Sequence, residues 1–304
     1  MKRDFLSFAD LAPSDVMPVL DRARALKAGK KSVAMSGRHA VLLFEKPSLR
    51  TKLSFWVGVE KLGGKPVYFS PEEVGLGKRE AVEHVAKVIS RMADVAIIRT
   101  FSHATLAKFA AASSIPVINA LTDGEHPCQA LADILTIDEH AGHLAGAKVA
   151  YIGDGNNVAV SLAYAVTFTG GHFVIASPKG YDLPAAHARR AQAAAKKTGG
   201  SLTQLRSPQE AVKGADIVYT DVWTSMGQEA ESAVRRKAFA GYQVNPALMK
   251  VAGRQAKFMH DLPAHPGEEV SAGMLEHPSS VAFDQAGNRL WAQAGLLDAM
   301  FSRK

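Results

Sequence analysis

Seven short apolar runs punctuate the chain: HAVLLFE (39–45), DVAIIRT (94–100), PVINA (116–120), AKVAYIGD (147–154), HFVIAS (172–177), ADIVYTD (215–221) and AKFMHD (256–261). Each has the length of a strand, and amphipathic helical stretches lie between them, near 51–63, 79–92, 103–113, 128–141, 157–169, 183–198 and 228–238. Such alternation predicts parallel sheets with helices on both faces. Over 304 residues it predicts an α/β protein of two domains, each a parallel sheet flanked by helices. The stretch EHAGHLAG (139–146) ends a long helix in Gly142 and Gly146, which places domains at 1–142 and 143–304. A last helix, about 285–302, is expected to pack back on the first domain.

Composition narrows the chemistry. Cys128 is the only cysteine, so an intrachain disulfide and a cysteine-based zinc site are both excluded. No apolar run approaches the roughly 18 residues of a membrane span, and MKRDFLSFADLAPSD lacks the apolar core of a signal peptide. A cytoplasmic location is the expectation. The net charge of +7 suits nucleic acid or anionic substrates. The basic residues are scattered, with no basic tail and no aromatic interleaving, so nucleic acid is not expected and an anionic substrate is.

The chemistry-bearing residues gather where strands end, the usual site position in open α/β sheets. In LFEKPSLRTKLSF (43–55) a strand ends near Glu45 and a helix starts near Leu49, with Ser48, Arg50 and Thr51 at the turn. Free N–H groups, two hydroxyls and a guanidinium there make an oxyanion cradle; the plainer role for Ser48 is an N-cap. Arg99 closes the next strand on the same edge. His126 and Gln129 open a helix three residues apart, so both can aim a donor at one acceptor. Cys128 between them reads as a small buried side chain, since no base partner is assignable.

Gly153-x-Gly155 follows a strand, but Val158 replaces the third small residue of a dinucleotide fingerprint. Asn156 and Asn157 suit amino and carboxylate groups instead. Asp221 ends another strand ahead of a Ser225-Met226-Gly227 turn, an acid for a cationic group beside N–H donors for a carboxylate. His260 and Asp261 end the last strand. An acid–base pair, half a metal site and a surface loop without chemistry are all open to them, and no third ligand accompanies them in sequence. No Gly-x-x-x-x-Gly-Lys-Ser/Thr loop occurs.

In order, Ser-Leu-Arg-Thr, Arg99, His-Pro-Cys-Gln, Gly-Asp-Gly-Asn-Asn, Asp-Val-Trp-Thr-Ser-Met-Gly, His-Asp-Leu-Pro and Phe-Asp-Gln-Ala-x-Asn-Arg resemble the carbamoyltransferases, specifically the ornithine type, over nearly the whole chain. The resemblance implies a carbamoyl-phosphate domain first, an amino-acid domain second, and a homotrimer or a multiple of trimers. It implies no cofactor and no metal. Carried over by match, Ser48, Leu49 (through its backbone), Arg50 and Thr51 bind phosphate; Arg99, His126 and Gln129 hold and polarise the carbamoyl oxygen; and Arg289 adds a positive contact. Asn157, Asp221, Ser225 and Met226 (through its backbone) bind L-ornithine, and His260 with Asp261 faces the reacting amine.

Four positions depart from the family pattern. Leu49 stands where Thr is usual and Trp56 where an acid is usual. KREAVEH (78–84) lacks the usual Ser and Thr hydroxyls, and Asp261 stands where most ornithine-type members have Cys. Beside Asp221, Asp261 either holds the substrate ammonium or takes its proton. Two other functions compete: a carbamoyltransferase for another amine, and a catalytically silent partner protein. The second requires loss of Arg50, His126 or Asp221, and all three are present.

Overall fold

The computed structural model describes residues 3–302. The chain forms two compact units, residues 1–135 with 287–304, and residues 136–286. The division falls between Leu135 and Thr136, within the helix Pro127–Ala141. No helix among the described residues is long and apolar enough to cross a membrane.

The first unit is built on strands β1 (His39–Phe44), β2 (Lys65–Phe69), β3 (Val95–Arg99) and β4 (Val117–Leu121). They are parallel, in the order β2-β1-β3-β4. β1 connects outward to β2 on one side and β3 lies on the other, so the sheet changes direction between β1 and β3. Phe44 and Arg99 are register partners there, which places the turn after β1 beside the end of β3. The pairing of β3 with β4 shifts register at Ile98/Arg99. Such irregularities re-aim a side chain at a sheet rim.

Val41, Leu43, Ala96, Ile98, Leu106, Phe109 and Val117 form a core on this sheet. As expected from the sequence, the C-terminal helix Ala282–Phe301 packs on this unit from Gly287 onward. It lies so close to the helix Pro13–Lys27 that a Cβ on Gly295 would sit 2.8 Å from the Val19 carbonyl oxygen. Arg22 and Asp298 pair across the same contact.

The second unit holds β5 (Lys148–Ile152), β6 (His172–Ala176), β7 (Ser201–Leu205), β8 (Ile217–Thr220) and β9 (Lys257–His260). These too are parallel, in the order β7-β6-β5-β8-β9. The direction change lies between β5 and β8, where Asn156, Asn157 and Asp221 stand. The glycines after β5 serve the backbone: Gly153 has a φ of +148°, and a Cβ on Gly155 would lie 2.4 Å from the Asp182 carbonyl carbon. Only glycine fits that approach, so the Gly-x-Gly spacing needs no dinucleotide to explain it.

Candidate functional site

In the first unit, Ser48 caps the helix Leu49–Lys61, its Oγ accepting from the Thr51 amide at 3.3 Å. Capping and anion binding are compatible here. The Ser48 hydroxyl donates to Thr51 Oγ1 at 2.9 Å, and Arg289 Nη2 donates to the same oxygen at 2.6 Å. Thr51 Oγ1 accepts twice, so its own O–H is the donor left for an anion. Thr51 and Arg289 are both buried. The pairing joins residues 238 positions apart, a link that no local sequence pattern contains.

His126 is buried ahead of the helix Pro127–Ala141. Its pKa lies well below the ordinary imidazole value, first because burial disfavours the cation and then because Arg289, Arg99 and Arg50 add positive potential. The ring is therefore a neutral donor through neutral pH. We expect its ring nitrogen shifts to show no titration between about pH 6 and 8; a midpoint near the ordinary value would contradict this environment. The sign for stability follows. The folded form resists a proton that the unfolded chain accepts, so stability falls as pH drops through about 6.5.

Cys128 is buried, its thiol pushed up to about 12 by desolvation, and Sγ donates to the Asn119 carbonyl at 3.3 Å. It is a packing residue, as its sequence context suggested. Gln129 Nε2 donates to Asp133 Oδ1 at 2.8 Å, whereas Gln129 Oε1 makes no hydrogen bond within the described residues. The Gln129 oxygen thus adds an acceptor to a site whose other groups are donors. The sequence-based view of Gln129 as one more donor did not contain this.

In the second unit, Asn156 caps the helix Asn157–Phe168, its Oδ1 accepting from the Val158 and Ala159 amides. Its Nδ2 donates to Asp221 Oδ2 at 2.7 Å, and the Val222 amide donates to Asp221 Oδ1 at 2.7 Å. Asn156 therefore orients Asp221, while Asn157 begins the helix. Behind them Arg235 donates to Asp154 Oδ2 at 2.7 Å and to the Trp223 carbonyl at 3.1 Å, tying down the segment that leads to Ser225. Ser225 is half-buried and Met226 exposed. The Ser225 amide donates to Gln228 Oε1 and the Gly227 amide to Glu229 Oε1.

His260 is fully buried. The Leu262 amide donates to its Nδ1 at 2.8 Å, which puts the ring proton on Nε2, 3.3 Å from Glu269 Oε1. Leu262, with φ of 62°, is the one non-glycine residue with positive φ among the described residues. This backbone costs about 1–3 kcal/mol and turns the amide back onto the ring. The fold also supplies the third group that the sequence around His260 lacks. Ligand atoms of Asp221, His260 and Asp261 lie within 4.8 Å of one another. With the Nδ1 lone pair engaged by Leu262, the two carboxylates suit an ammonium better than a metal ion.

Known proteins agree with this division of chemistry. Residues 3–139 match the carbamoyl-phosphate-binding domain of the aspartate/ornithine carbamoyltransferases, and residues 145–300 match their Asp/Orn-binding domain. The chain is 48% identical over 299 residues to an ornithine carbamoyltransferase of Symbiobacterium thermophilum, covering 97% of this chain and 96% of that one. It is 47% identical over 298 residues to the Bacillus subtilis enzyme of that name, covering 98% and 93%. The solved ornithine carbamoyltransferase of Pyrococcus furiosus superposes with a TM-score of 0.95 at 43% identity, covering 99% of this chain and 98% of that one. With its two family domains, its ordered strand-end motifs and its full-length relatives, the chain belongs to the aspartate/ornithine carbamoyltransferase family.

Proposed function

We infer that the protein transfers the carbamoyl group of carbamoyl phosphate to the δ-amine of L-ornithine, giving L-citrulline and phosphate. The observation that carries this is the buried, neutral His126 under the combined positive potential of Arg50, Arg99 and Arg289. Cationic side chains gathered around a neutral donor favour an anionic ligand that also carries an acceptor. A phosphate that carries a carbonyl meets both demands.

The Thr51 hydroxyl, held in place by Ser48, the Leu49 amide and Arg50 hold the phosphate. Arg99, His126 and Arg289 face the carbamoyl oxygen, where negative charge grows as the amine adds. Donors preorganised toward such an oxygen are worth about 3–4 kcal/mol each. Gln129 Oε1 accepts from the carbamoyl NH2. In the second unit Asp221, oriented by Asn156, and Asp261 take the cationic side chain, while Asn157, Ser225 and the Met226 backbone take the amino-acid end. The ammonium first gives one proton to Asp261; the neutral amine nitrogen then bonds to the carbamoyl carbon, the carbon–oxygen bond to phosphate breaks, and the second nitrogen proton leaves with the departing phosphate.

The acid pair Asp221 and Asp261 favours a basic acceptor over aspartate. The segment Ser225–Glu229 likewise carries no cation, which an acidic acceptor would require. A cytoplasmic homotrimer, or a multiple of it, belongs to the same inference. Leu49, Leu53, Val88 and Met92 of the first unit present apolar side chains suited to association.

Phosphate release with a panel of acceptors (ornithine, acetylornithine, putrescine, aspartate, lysine) tests the function. Ornithine should exceed every other acceptor by at least about 100-fold in kcat/KM, the discrimination expected of a site built on buried polar pairs. No turnover with ornithine at any pH would sink the assignment.

A further inference from the structure

Gln129 has an amide with two chemically different ends, and only one faces the substrate correctly. Its Nε2 donates to Asp133 Oδ1 at 2.8 Å, one helical turn away, while its Oε1 makes no hydrogen bond within the described residues. Gln129 is 1% exposed and Asp133 0%, so solvent does not compete for this contact. We propose that Asp133 is a positioning residue, fixing the Gln129 amide so that its oxygen is offered to the carbamoyl NH2. The proposal rests on carbamoyl phosphate being the donor substrate.

The energetic argument concerns the rotamer that Asp133 excludes. A carboxylate only accepts hydrogen bonds, so turning the Gln129 amide over would oppose two acceptors in a buried, water-poor place. Without Asp133, the turned amide would set its NH2 against the substrate's NH2. One buried donor would then go unpaired, which weakens binding. Arg50, Arg99 and Arg289 are donors only, and His126 turns its N–H to the carbamoyl oxygen, so these groups satisfy the carbonyl and phosphate oxygens and leave the NH2 to Gln129. Asp133 thus controls how well the site separates a carbamoyl phosphate from an acyl phosphate of the same shape, such as acetyl phosphate.

The test compares wild type with Asp133→Asn, which keeps the shape but can also donate to Gln129 Oε1, and with Asp133→Ala, which removes the acceptor. Steady-state KM for carbamoyl phosphate is measured together with inhibition constants for acetyl phosphate and inorganic phosphate. The expected result is about a tenfold weaker carbamoyl phosphate interaction, matching one unpaired buried group, with both inhibition constants unchanged within about twofold. Unchanged phosphate inhibition also reports that the site is folded, and either variant suffices if the other does not fold. Parallel weakening of all three ligands, or a carbamoyl-over-acetyl preference kept in both variants, overturns the role of Asp133. A wild-type protein lacking that preference would instead remove the functional reading on which the proposal stands.

Discussion

Arg50→Ala is expected to lower kcat/KM for carbamoyl phosphate by about 10³-fold while leaving thermal stability within about 0.5 kcal/mol of wild type. Arg50 is half-buried in the first turn of the helix Leu49–Lys61, and alanine favours a helix at least as well as arginine. The helix backbone therefore does not depend on the guanidinium. The anion does, because Arg50 contributes both charge at His126 and a fork-shaped donor set for phosphate oxygens.

Losing one partner of a desolvated charged contact costs about 3–5 kcal/mol. The loss should appear in the carbamoyl phosphate interaction, with ornithine KM changed far less. Arg50→Lys should recover only part of the activity, since an ammonium restores charge but not the fork. Circular dichroism and phosphate-release kinetics measure both sides of the expectation. A loss under about tenfold would remove Arg50 from the cradle.

The contrast between Arg50 and Thr51 shows what was legible in the sequence. Strand-to-helix turns are local, so HAVLLFE followed by Ser48–Thr51 identified both the sheet edge and the cradle, and the same logic located Asp221 and His260. Edge strands were harder. KPVYF (65–69) contains Pro66, and SLTQL (201–205) is largely polar, because each lies at a sheet margin where one side needs no partner strand. The helices Pro13–Lys27 and Pro246–Ala252 were also missed, the first carrying Pro18 in its interior and the second only seven residues long.

Least legible were the supporting contacts. Arg289 to Thr51, Asn156 to Asp221 and Glu269 to His260 join segments that only the folded sheet brings together. Asp133 was different, because it stands four residues from Gln129 on one helix. An i, i+4 spacing of acid and amide among the apolar residues of a buried helix is a signal that sequence alone can supply.

Asp261 is the departure from the family pattern that faces the reacting amine, and replacing it should change the pH dependence as well as the rate. The δ-amine arrives as an ammonium and must lose a proton before it can attack. His260 is poorly placed to take that proton, since Leu262 donates to its Nδ1 and its Nε2 faces Glu269. Asp221 already accepts from Val222 and from Asn156, one bond at each oxygen, which suits it to hold charge. Asp261 stands within the same group, its side chain only 12% exposed.

General-base catalysis is worth about 10²–10⁴-fold, so Asp261→Asn should lower kcat by about 10²-fold or more and leave kcat rising with pH as free amine becomes available. Asp261→Cys should keep more activity than the amide but move its optimum upward, toward the ordinary thiol range near about 8.5. Ornithine KM separates the two roles. If Asp261 takes the proton, kcat carries the loss; if it only holds the ammonium, the loss appears as a raised KM at unchanged kcat. Rates and pH profiles equal to wild type in both variants would show that neither role belongs to Asp261.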